Sequence, residues 1–238
     1  MGFNRLADRH IDAANPRTSN RELPQGVVST RAVWLMVLLS SALLVWAAHR
    51  LNPLCLYLSP LALLILLSYS YTKRFTWASH LVLGLSLGLA PVGAWIAVSG
   101  SVTPVPVVLG LAVLAWVAGF DILYACQDHA FDVAAGLHSI PARFGLRRSL
   151  HVARLLHALT VILMLIVADL MGLNSLYLLG VAVIAGLLFY EHRLVKVEDL
   201  TRVNTAFMTM NSIVSVGYFA FTLADLLLLG DGGSLLQL

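Results

Sequence analysis

Long apolar segments alternate with short polar ones along most of the chain. Residues 1–31 are largely polar, and seven segments rich in Leu, Val, Ile and Ala follow them. Each segment is close to the roughly 20 residues that an α-helix needs to cross a bilayer. Strands are excluded, because an open sheet leaves backbone groups unpaired in lipid. The pattern predicts an all-α, polytopic membrane helix bundle with spans near 32–49, 53–71, 80–99, 104–126, 150–170, 173–190 and 205–229.

Small and polar residues inside the spans predict how the helices meet. Asn204 and Asn211 lie seven residues apart on one face of the last span and are expected to join helices. Asp225, near the outer end of that span, is expected at the membrane interface. Three glycines of the third span are expected to let a neighbouring helix approach closely: Gly84, Gly88 and Gly93.

The composition supports an integral membrane protein. Of the 238 residues, 59% are hydrophobic and 11% are charged, whereas soluble domains carry about 25% charged residues. Seven spans leave no length for a second domain. No P-loop, GxSxG nucleophile elbow or nucleic-acid-binding module is recognisable, so a nucleic-acid partner is not expected.

Basic residues are concentrated on one side of the predicted bundle. The opposite side holds only Arg50. Because the side rich in Lys and Arg faces the cytoplasm, we predict a protein of the plasma (inner) membrane whose basic loops are cytoplasmic. These loops and helix ends contain Arg5, Arg9, Arg17, Arg21, Arg31, Lys73, Arg74, Arg143, Arg147, Arg148, Arg154, Arg193, Lys196 and Arg202.

Acidic residues recur regularly where the fourth span ends. Asp121, Asp128 and Asp132 are seven and four residues apart, so with Tyr124 they share one stripe of a helix. Carboxylates placed in this way repel one another unless a cation lies among them, and their oxygens suit Mg²⁺. A solvated helix end is the alternative, but Asp121 lies in an apolar stretch, where a carboxylate costs about 3 kcal/mol.

A second acidic face lies near the N-terminus, where residues 4–12 are predicted to be the end of a helix. Asn4, Asp8 and Asp12 recur at every fourth residue. Both acidic faces lie on the predicted cytoplasmic side and can meet across one cavity. Mg²⁺ ions with a highly anionic ligand would balance their charge, and a diphosphate ester is the natural candidate.

Basic side chains accompany both acidic faces. Lys73 and Arg74 end the second span and are either a clamp for a diphosphate or ordinary interfacial residues. Arg17 and Arg21 follow the first acidic face and either bind phosphate or pair with the nearby carboxylates. Arg143 follows the second face and is either a ligand or part of the positive-inside charge.

Three motifs resemble those of the UbiA superfamily of intramembrane prenyltransferases. NRLADRHIDAANPRTSNRELPQG is similar to the first Asp-rich motif, YTKR to the lysine-bearing loop and DILYACQDHAFD to the second Asp-rich motif. They occur in the order of the family, and the resemblance covers essentially the whole chain. The chain looks most like the bacterial 4-hydroxybenzoate polyprenyltransferase-like proteins, a subgroup in which some members serve menaquinone made by the futalosine route.

The resemblance implies that the chain transfers a polyprenyl group from polyprenyl diphosphate to a small aromatic acid in quinone biosynthesis. An electron-rich ring carbon attacks the allylic carbon while the diphosphate leaves. The isoprenoid requires an apolar tunnel open to membrane lipid. The implied catalytic residues are Asp121, Tyr124 and Asp128. The implied Mg²⁺ ligands are Asn4, Asp8, Asp12, Asp128 and Asp132. The implied substrate-binding residues are Lys73, Arg74, Arg17, Arg21 and Arg143.

Two alternatives and one departure accompany this interpretation. The same chemistry on a naphthoate acceptor would serve menaquinone. A transporter also uses intramembrane acids, but here the acids lie at the ends of spans. Because the first motif begins at Asn4, residues 1–238 are expected to form a single UbiA-type domain that lacks the first helix and most of the second.

Overall fold

The chain folds as a series of helices joined by short connections. The computed structural model describes residues 1–197, 200, 203 and 209–230, so Arg202 and Asn204 lie outside the described part. A short 3-10 turn, Cys126–Asp128, links α5 to α6. The helices are α1 (Gly2–Ala14), α2 (Thr30–Leu51), α3 (Pro53–Thr72), α4 (Ser79–Ser99), α5 (Pro104–Ala125), α6 (His129–Ala134), α7 (Ile140–Phe144), α8 (Leu146–Met171), α9 (Ser175–Leu194) and α10 (Asn211–Leu228).

Seven of the helices within the described residues are long and apolar enough to cross a membrane. They are α2, α3, α4, α5 with its extension to Ala134, α8, α9 and α10. The polar helix α1 has 13 residues and is too short to span the membrane. The predicted all-α membrane bundle is therefore confirmed, although α8 begins at Leu146 rather than near residue 150.

Helix α5 lies at the centre of the bundle. It packs against α4 on one side and α8 on another, while α9 packs against α8 and α10. Small side chains make this central position possible, since Ala112, Ala115 and Ala118 are almost completely buried in α5. The N-terminal helix α1 packs on α2 and α3.

Two of the three predicted glycines bring α4 and α5 into backbone contact. A Cβ atom added to Gly88 would lie 2.5 Å from the carbonyl oxygen of Gly110, and one added to Gly84 would lie 2.4 Å from that of Leu114. Among the described residues, Gly93 has no such neighbour, because none of their atoms lies within 4 Å of the corresponding position. The expected close approach is confirmed for Gly84 and Gly88 and is wrong for Gly93.

Two polar side chains of α10 join it to other helices. Asn211 accepts a hydrogen bond from the indole nitrogen of Trp116 in α5 at 3.1 Å, which confirms its expected role. Asp225 is 1% exposed and accepts the backbone N–H groups of Asn174 and Tyr177 at 2.8 and 3.0 Å. Asp225 is thus buried within the protein at the turn before α9, and its expected position at the membrane interface stays a prediction. Its carboxylate is buried because the first N–H groups of α9 need acceptors.

Candidate active site at the ends of α1, α3 and α5

The polar helix α1 is fixed to the bundle by its apolar face. The ring of Phe3 contacts Trp34 of α2 and Tyr71 of α3 edge to face, with ring centroids 5.8 Å apart in both pairs. This docking turns the acidic face inward, so that Asp8 and Asp12 are only 3% and 5% exposed. Asn4 donates a hydrogen bond to Asp8 at 3.0 Å. The predicted one-sided arrangement of these three residues is therefore present.

The basic pair that follows α3 reaches the first acidic face. Lys73 Nζ lies 2.7 Å from Asp8 Oδ2, and Arg74 Nη2 lies 3.5 Å from Asp8 Oδ1. Arg74 also donates to the carbonyl oxygen of Ala7 at 2.6 Å. Burial raises the pKa of Asp8 above its ordinary value, although the charges of Lys73 and Arg74 oppose this shift.

The loop after α1 folds back over Asp12. Arg21 Nη1 donates to Asp12 Oδ1 at 2.8 Å, and Thr18 donates to the backbone carbonyl of Asp12 at 3.0 Å. Asn15 ends α1 in an extended conformation, and its side-chain oxygen accepts the backbone N–H of Arg17. The resulting turn directs Arg17 and the amide group of Asn15 toward α5.

Arg17 and Asn15 bind the second acidic motif. The Arg17 guanidinium forms a bidentate ion pair with Asp128, in which Nε donates to Oδ1 at 2.8 Å and Nη2 donates to Oδ2. Asn15 donates to the same Oδ1 at 2.9 Å, and Arg17 Nη1 donates to the Tyr124 hydroxyl at 2.7 Å. Burial alone would lower the pKa of Arg17, but the hydrogen bond and charge of Asp128 raise it overall.

Asp132 lies on the other side of Lys73. Its Oδ2 accepts a hydrogen bond from Ser139 at 2.9 Å, and the backbone N–H of His138 donates to the carbonyl oxygen of Lys73 at 2.7 Å. The charge of Lys73 acts on both Asp8 and Asp132. The contacts of Arg17 and Lys73 therefore bring the two acidic motifs to one site.

The predicted continuous stripe of the second motif is corrected by the structure. Helix α5 ends at Ala125, and the 3-10 turn over Cys126–Asp128 tightens the backbone before α6 begins. The side chains consequently point to different partners: Asp121 to α4, Asp128 to the loop after α1, and Asp132 to Ser139. A change from α to 3-10 geometry shifts the angular spacing of side chains, which a strict 3.6-residue period does not anticipate.

His80 is a site residue that the sequence analysis missed. It is 4% exposed in the first turn of α4, and its Nδ1 lies 2.6 Å from Asp121 Oδ2. The available signal was that His80 is the only titratable residue of α4. Asn15 and Ser139 were also missed as ligands of carboxylates, because neither their type nor their spacing distinguishes them from turn residues.

Arg143 remains apart from the acidic residues. It lies in the last turn of α7 and is exposed. Within the described part of the chain, its side chain has no recorded hydrogen bond or ion pair to any acidic residue. Its role as a substrate ligand stays a prediction.

Two carboxylate oxygens of the first acidic face fit a magnesium site that a phosphate ligand completes. Asp8 Oδ1 and Asp12 Oδ2 are buried and, among the described residues, have no hydrogen-bond partner. No set of three His, Cys, Asp or Glu side chains in that part of the chain converges as a metal cage. Mg²⁺ is ordinarily bound by one or two carboxylates together with substrate phosphates and water, so a complete protein cage is not required.

An apolar cavity lies between α4, α5 and α10. Its volume is about 320 Å³. Phe120, which lines it, directly precedes Asp121, so the cavity lies one residue from the acidic site along α5. The residues that line it are Leu87, Trp116, Val117, Phe120, Asn211, Ser212 and Ser215.

Comparisons with known sequences agree with this architecture. The model of the UbiA prenyltransferase family matches residues 1–213. The 4-hydroxybenzoate octaprenyltransferase of Vibrio cholerae serotype O1 is 35% identical over 214 residues, covering 89% of this chain and 74% of the relative. The 4-hydroxybenzoate octaprenyltransferase of Azoarcus sp. is 32% identical over 194 residues, covering 82% of this chain and 67% of the relative.

Solved structures share the fold. The apo structure of a UbiA homolog from Aeropyrum pernix K1 has a TM-score of 0.86 and 35% identity, covering 95% of this chain and 84% of that one. A UbiA homolog from Archaeoglobus fulgidus bound to DMAPP and Mg²⁺ has a TM-score of 0.69 and 25% identity, covering 95% and 82%. Sequence, fold and motifs thus agree, and the chain belongs to the UbiA prenyltransferase family of membrane enzymes.

Proposed function

We propose that this enzyme transfers a polyprenyl group from polyprenyl diphosphate to a small aromatic acid of the 4-hydroxybenzoate type in quinone biosynthesis, with Mg²⁺ as cofactor. Curated relatives carry the name 4-hydroxybenzoate octaprenyltransferase, and a structural relative binds DMAPP and Mg²⁺. The observation that best supports this proposal is that three buried or half-buried carboxylates each face a basic side chain: Asp8 with Lys73, Asp12 with Arg21, and Asp128 with Arg17. Because the family consists of enzymes, the transporter alternative is not retained.

This pairing suits a donor that brings both an anion and metal ions. In these pairs the carboxylates and the basic groups neutralise one another. On binding, Asp8, Asp12 and Asp128, with Asn4 and Asp132, would hold Mg²⁺. Lys73 and Arg17, with Arg21 and Arg74, would turn their donors to the phosphate oxygens. Mg²⁺, when bound, supplies Lewis-acid stabilisation of the leaving diphosphate.

The basic residues perform the electrostatic part of the reaction. As the allylic C–O bond breaks, negative charge grows on the diphosphate. Once turned to the phosphate oxygens, the hydrogen-bond donors of Lys73 and Arg17 would stabilise this charge as it develops and so lower the barrier. Arg17 also holds the Tyr124 hydroxyl at 2.7 Å. This contact supports a role for Tyr124 beside the diphosphate of the donor.

The acceptor and the isoprenoid require different surroundings. The acceptor's ring carbon beside the phenol hydroxyl forms the new C–C bond, and we infer that the carboxylate of Asp121 takes up the released proton. The apolar cavity beside Phe120 suits the isoprenoid portion nearest the diphosphate. The site lies on the side rich in Lys and Arg, which supports a cytoplasm-facing site in the inner membrane.

A transfer assay tests this proposal. The purified enzyme in lipid nanodiscs is mixed with a radiolabelled polyprenyl diphosphate and either 4-hydroxybenzoate or dihydroxynaphthoate, with Mg²⁺ or with EDTA. We expect labelled prenylated 4-hydroxybenzoate only when Mg²⁺ is present. Labelled product formed from dihydroxynaphthoate but not from 4-hydroxybenzoate would support the menaquinone alternative. Absence of product with both acceptors at saturating Mg²⁺ would contradict the proposal.

A further inference from the structure

His80 is held by two hydrogen bonds that assign different roles to its ring nitrogens. Nδ1 lies 2.6 Å from Asp121 Oδ2. Nε2 accepts the backbone N–H of Ile140, the second residue of the Ser139–Ile140 segment, at 3.3 Å. The ring is 4% exposed, so water does not replace these partners.

The Ile140 contact fixes the protonation of the ring. A backbone N–H can only donate, and Nε2 must therefore present its lone pair. A proton on Nε2, either in the other neutral tautomer or in the imidazolium, would point at the N–H of Ile140. The favoured form is neutral, with its proton on Nδ1, and this proton is donated to Asp121.

The same contact defines the state of Asp121. Since Nδ1 donates, Asp121 Oδ2 must accept. The side chain of Asp121 is 25% exposed, and it has no other hydrogen bond within the described residues. Its second oxygen, Oδ1, therefore remains available to a ligand. Ser139, the neighbour of Ile140, donates to Asp132, so one short segment supports Asp132 directly and Asp121 through His80.

We propose that His80 is a positioning residue of the prenyl transfer, which holds Asp121 as an oriented carboxylate through the Ile140-fixed Nδ1–H tautomer. This inference rests on the proposed function. In the reaction, the donor C–O bond breaks and the diphosphate leaves with its electron pair. The acceptor's ring carbon forms the new C–C bond. The proton of that carbon passes to Asp121 Oδ1, and the C–H electron pair restores the aromatic ring. His80 keeps its own proton throughout.

The tautomer itself can be measured without any activity. Protein labelled with ¹⁵N-histidine is reconstituted in lipid bilayers at neutral pH, and solid-state NMR distinguishes protonated from unprotonated ring nitrogens. The signals of His80, one of eight histidines, are assigned by their loss in His80→Asn. We expect a protonated Nδ1 and an unprotonated Nε2. A protonated Nε2 would overturn the inference, whether or not the enzyme prenylates 4-hydroxybenzoate.

A double-mutant cycle tests whether His80 acts through Asp121. His80→Leu is expected to lower kcat about tenfold, within the range that orienting partners of reactive groups contribute, while KM for the diphosphate donor stays the same. In the Asp121→Asn background, the same substitution should change kcat less than about twofold, because the group that His80 orients is gone. An equal loss in both backgrounds would show a merely structural role and would overturn the inference.

The conservative variant His80→Asn tests whether a hydrogen bond to Asp121 restores kcat. The amide nitrogen of His80→Asn occupies the position of Nδ1 and can donate to Asp121, whereas it cannot reach Ile140. We expect His80→Asn to retain most of the kcat that His80→Leu loses. Equal kcat values for the two variants would show that the hydrogen bond to Asp121 contributes nothing.

Discussion

Three basic residues of the site form ion pairs with carboxylates. Lys73 Nζ lies 2.7 Å from Asp8, and Arg21 Nη1 lies 2.8 Å from Asp12. Arg17 forms a bidentate ion pair with the carboxylate of Asp128. Removing one partner of such a pair leaves an uncompensated charge, whereas exchange for a Mg²⁺-diphosphate ligand does not. Substitutions of these paired residues are therefore expected to affect donor binding and turnover more than the stability of the fold.

The first prediction concerns Asp128. Asp128→Asn keeps an oxygen that can accept from Arg17 and Asn15 but removes the charge that Mg²⁺ requires. We expect kcat/KM to fall at least about 100-fold, because leaving-group stabilisation is lost. The melting temperature should fall by only a few degrees, since the loss of one charged hydrogen bond is about 1.5–3 kcal/mol. Initial rates and differential scanning fluorimetry measure the two quantities.

Glu22→Gln is the matched control for Asp128→Asn. Glu22 lies in the same loop as Arg21 but is exposed. Its neutralisation should leave both kcat/KM and the melting temperature unchanged. Comparable turnover in Asp128→Asn and Glu22→Gln at low Mg²⁺ would contradict the role assigned to Asp128.

The second prediction separates Lys73 from Arg74. Lys73 Nζ is 2.7 Å from Asp8 and its charge also reaches Asp132, whereas Arg74 is 3.5 Å from Asp8 and more exposed. Lys73→Gln should therefore raise KM for the donor by about 10-fold to 100-fold, the effect of losing a charged hydrogen bond. Arg74→Gln should raise it less than about tenfold. The reverse order in steady-state kinetics would be inconsistent with a site centred on Lys73.

At the level of helices, the position of Asp121 depends on how closely α4 and α5 pack. His80 belongs to α4 and Asp121 to α5, and the glycines at Gly84 and Gly88 let the two backbones meet. A third prediction follows for Gly88→Ala, whose Cβ would lie 2.5 Å from the carbonyl of Gly110. We expect a loss of about 1–3 kcal/mol in stability through overpacking, with reduced kcat because the His80–Asp121 contact is displaced.

Gly93→Ala provides the control on the same helix. No atom in the described part of the chain lies within 4 Å of its added Cβ, so neither stability nor kcat should fall. Thermal denaturation in a fixed detergent and the transfer assay compare the two variants. Equal melting temperatures for Gly88→Ala and Gly93→Ala would show that the close approach of α4 and α5 does not matter.

For the whole molecule, the site links parts of the chain that are far apart in sequence. The loop after α1 contacts the end of α5, and the loop after α3 contacts both α1 and the segment before α7. A ligand that takes over the ion pairs should therefore connect these elements and stabilise the entire fold. Such stabilisation amounts to about 2.7 kcal/mol when the ligand is present at 100 times its Kd.

The fourth prediction is that Mg²⁺ and inorganic pyrophosphate stabilise the protein only together. Either component alone would leave charge uncompensated, because the carboxylates need the metal and the basic residues need the anion. We expect a clear rise in melting temperature with both, and none with pyrophosphate plus EDTA. The double variant Asp8→Asn/Asp12→Asn should show no rise. An equal rise with pyrophosphate alone would indicate anion binding that does not involve these carboxylates.

The number of spans, the acidic face of α1 and the resemblance to the UbiA family could all be predicted from the sequence. These features are local: lipid requires about 20 apolar residues per span, and helical periodicity places Asn4, Asp8 and Asp12 on one face. The uneven distribution of Lys and Arg between the two sides of the bundle can likewise be recognised without knowing which helices are neighbours. For this reason the fold class could be predicted from residues that are close together in the chain.

The partners of individual side chains become visible only once the helices are packed together. Arg17 pairs with Asp128 rather than with the nearer Asp12, and Asp121 pairs with His80. Asp225 is buried because it caps α9. Each partner lies on a helix or loop distant in sequence, and each contact exists because particular helices became neighbours. Periodicity describes one helix at a time, so it cannot specify contacts that arise when several helices pack together.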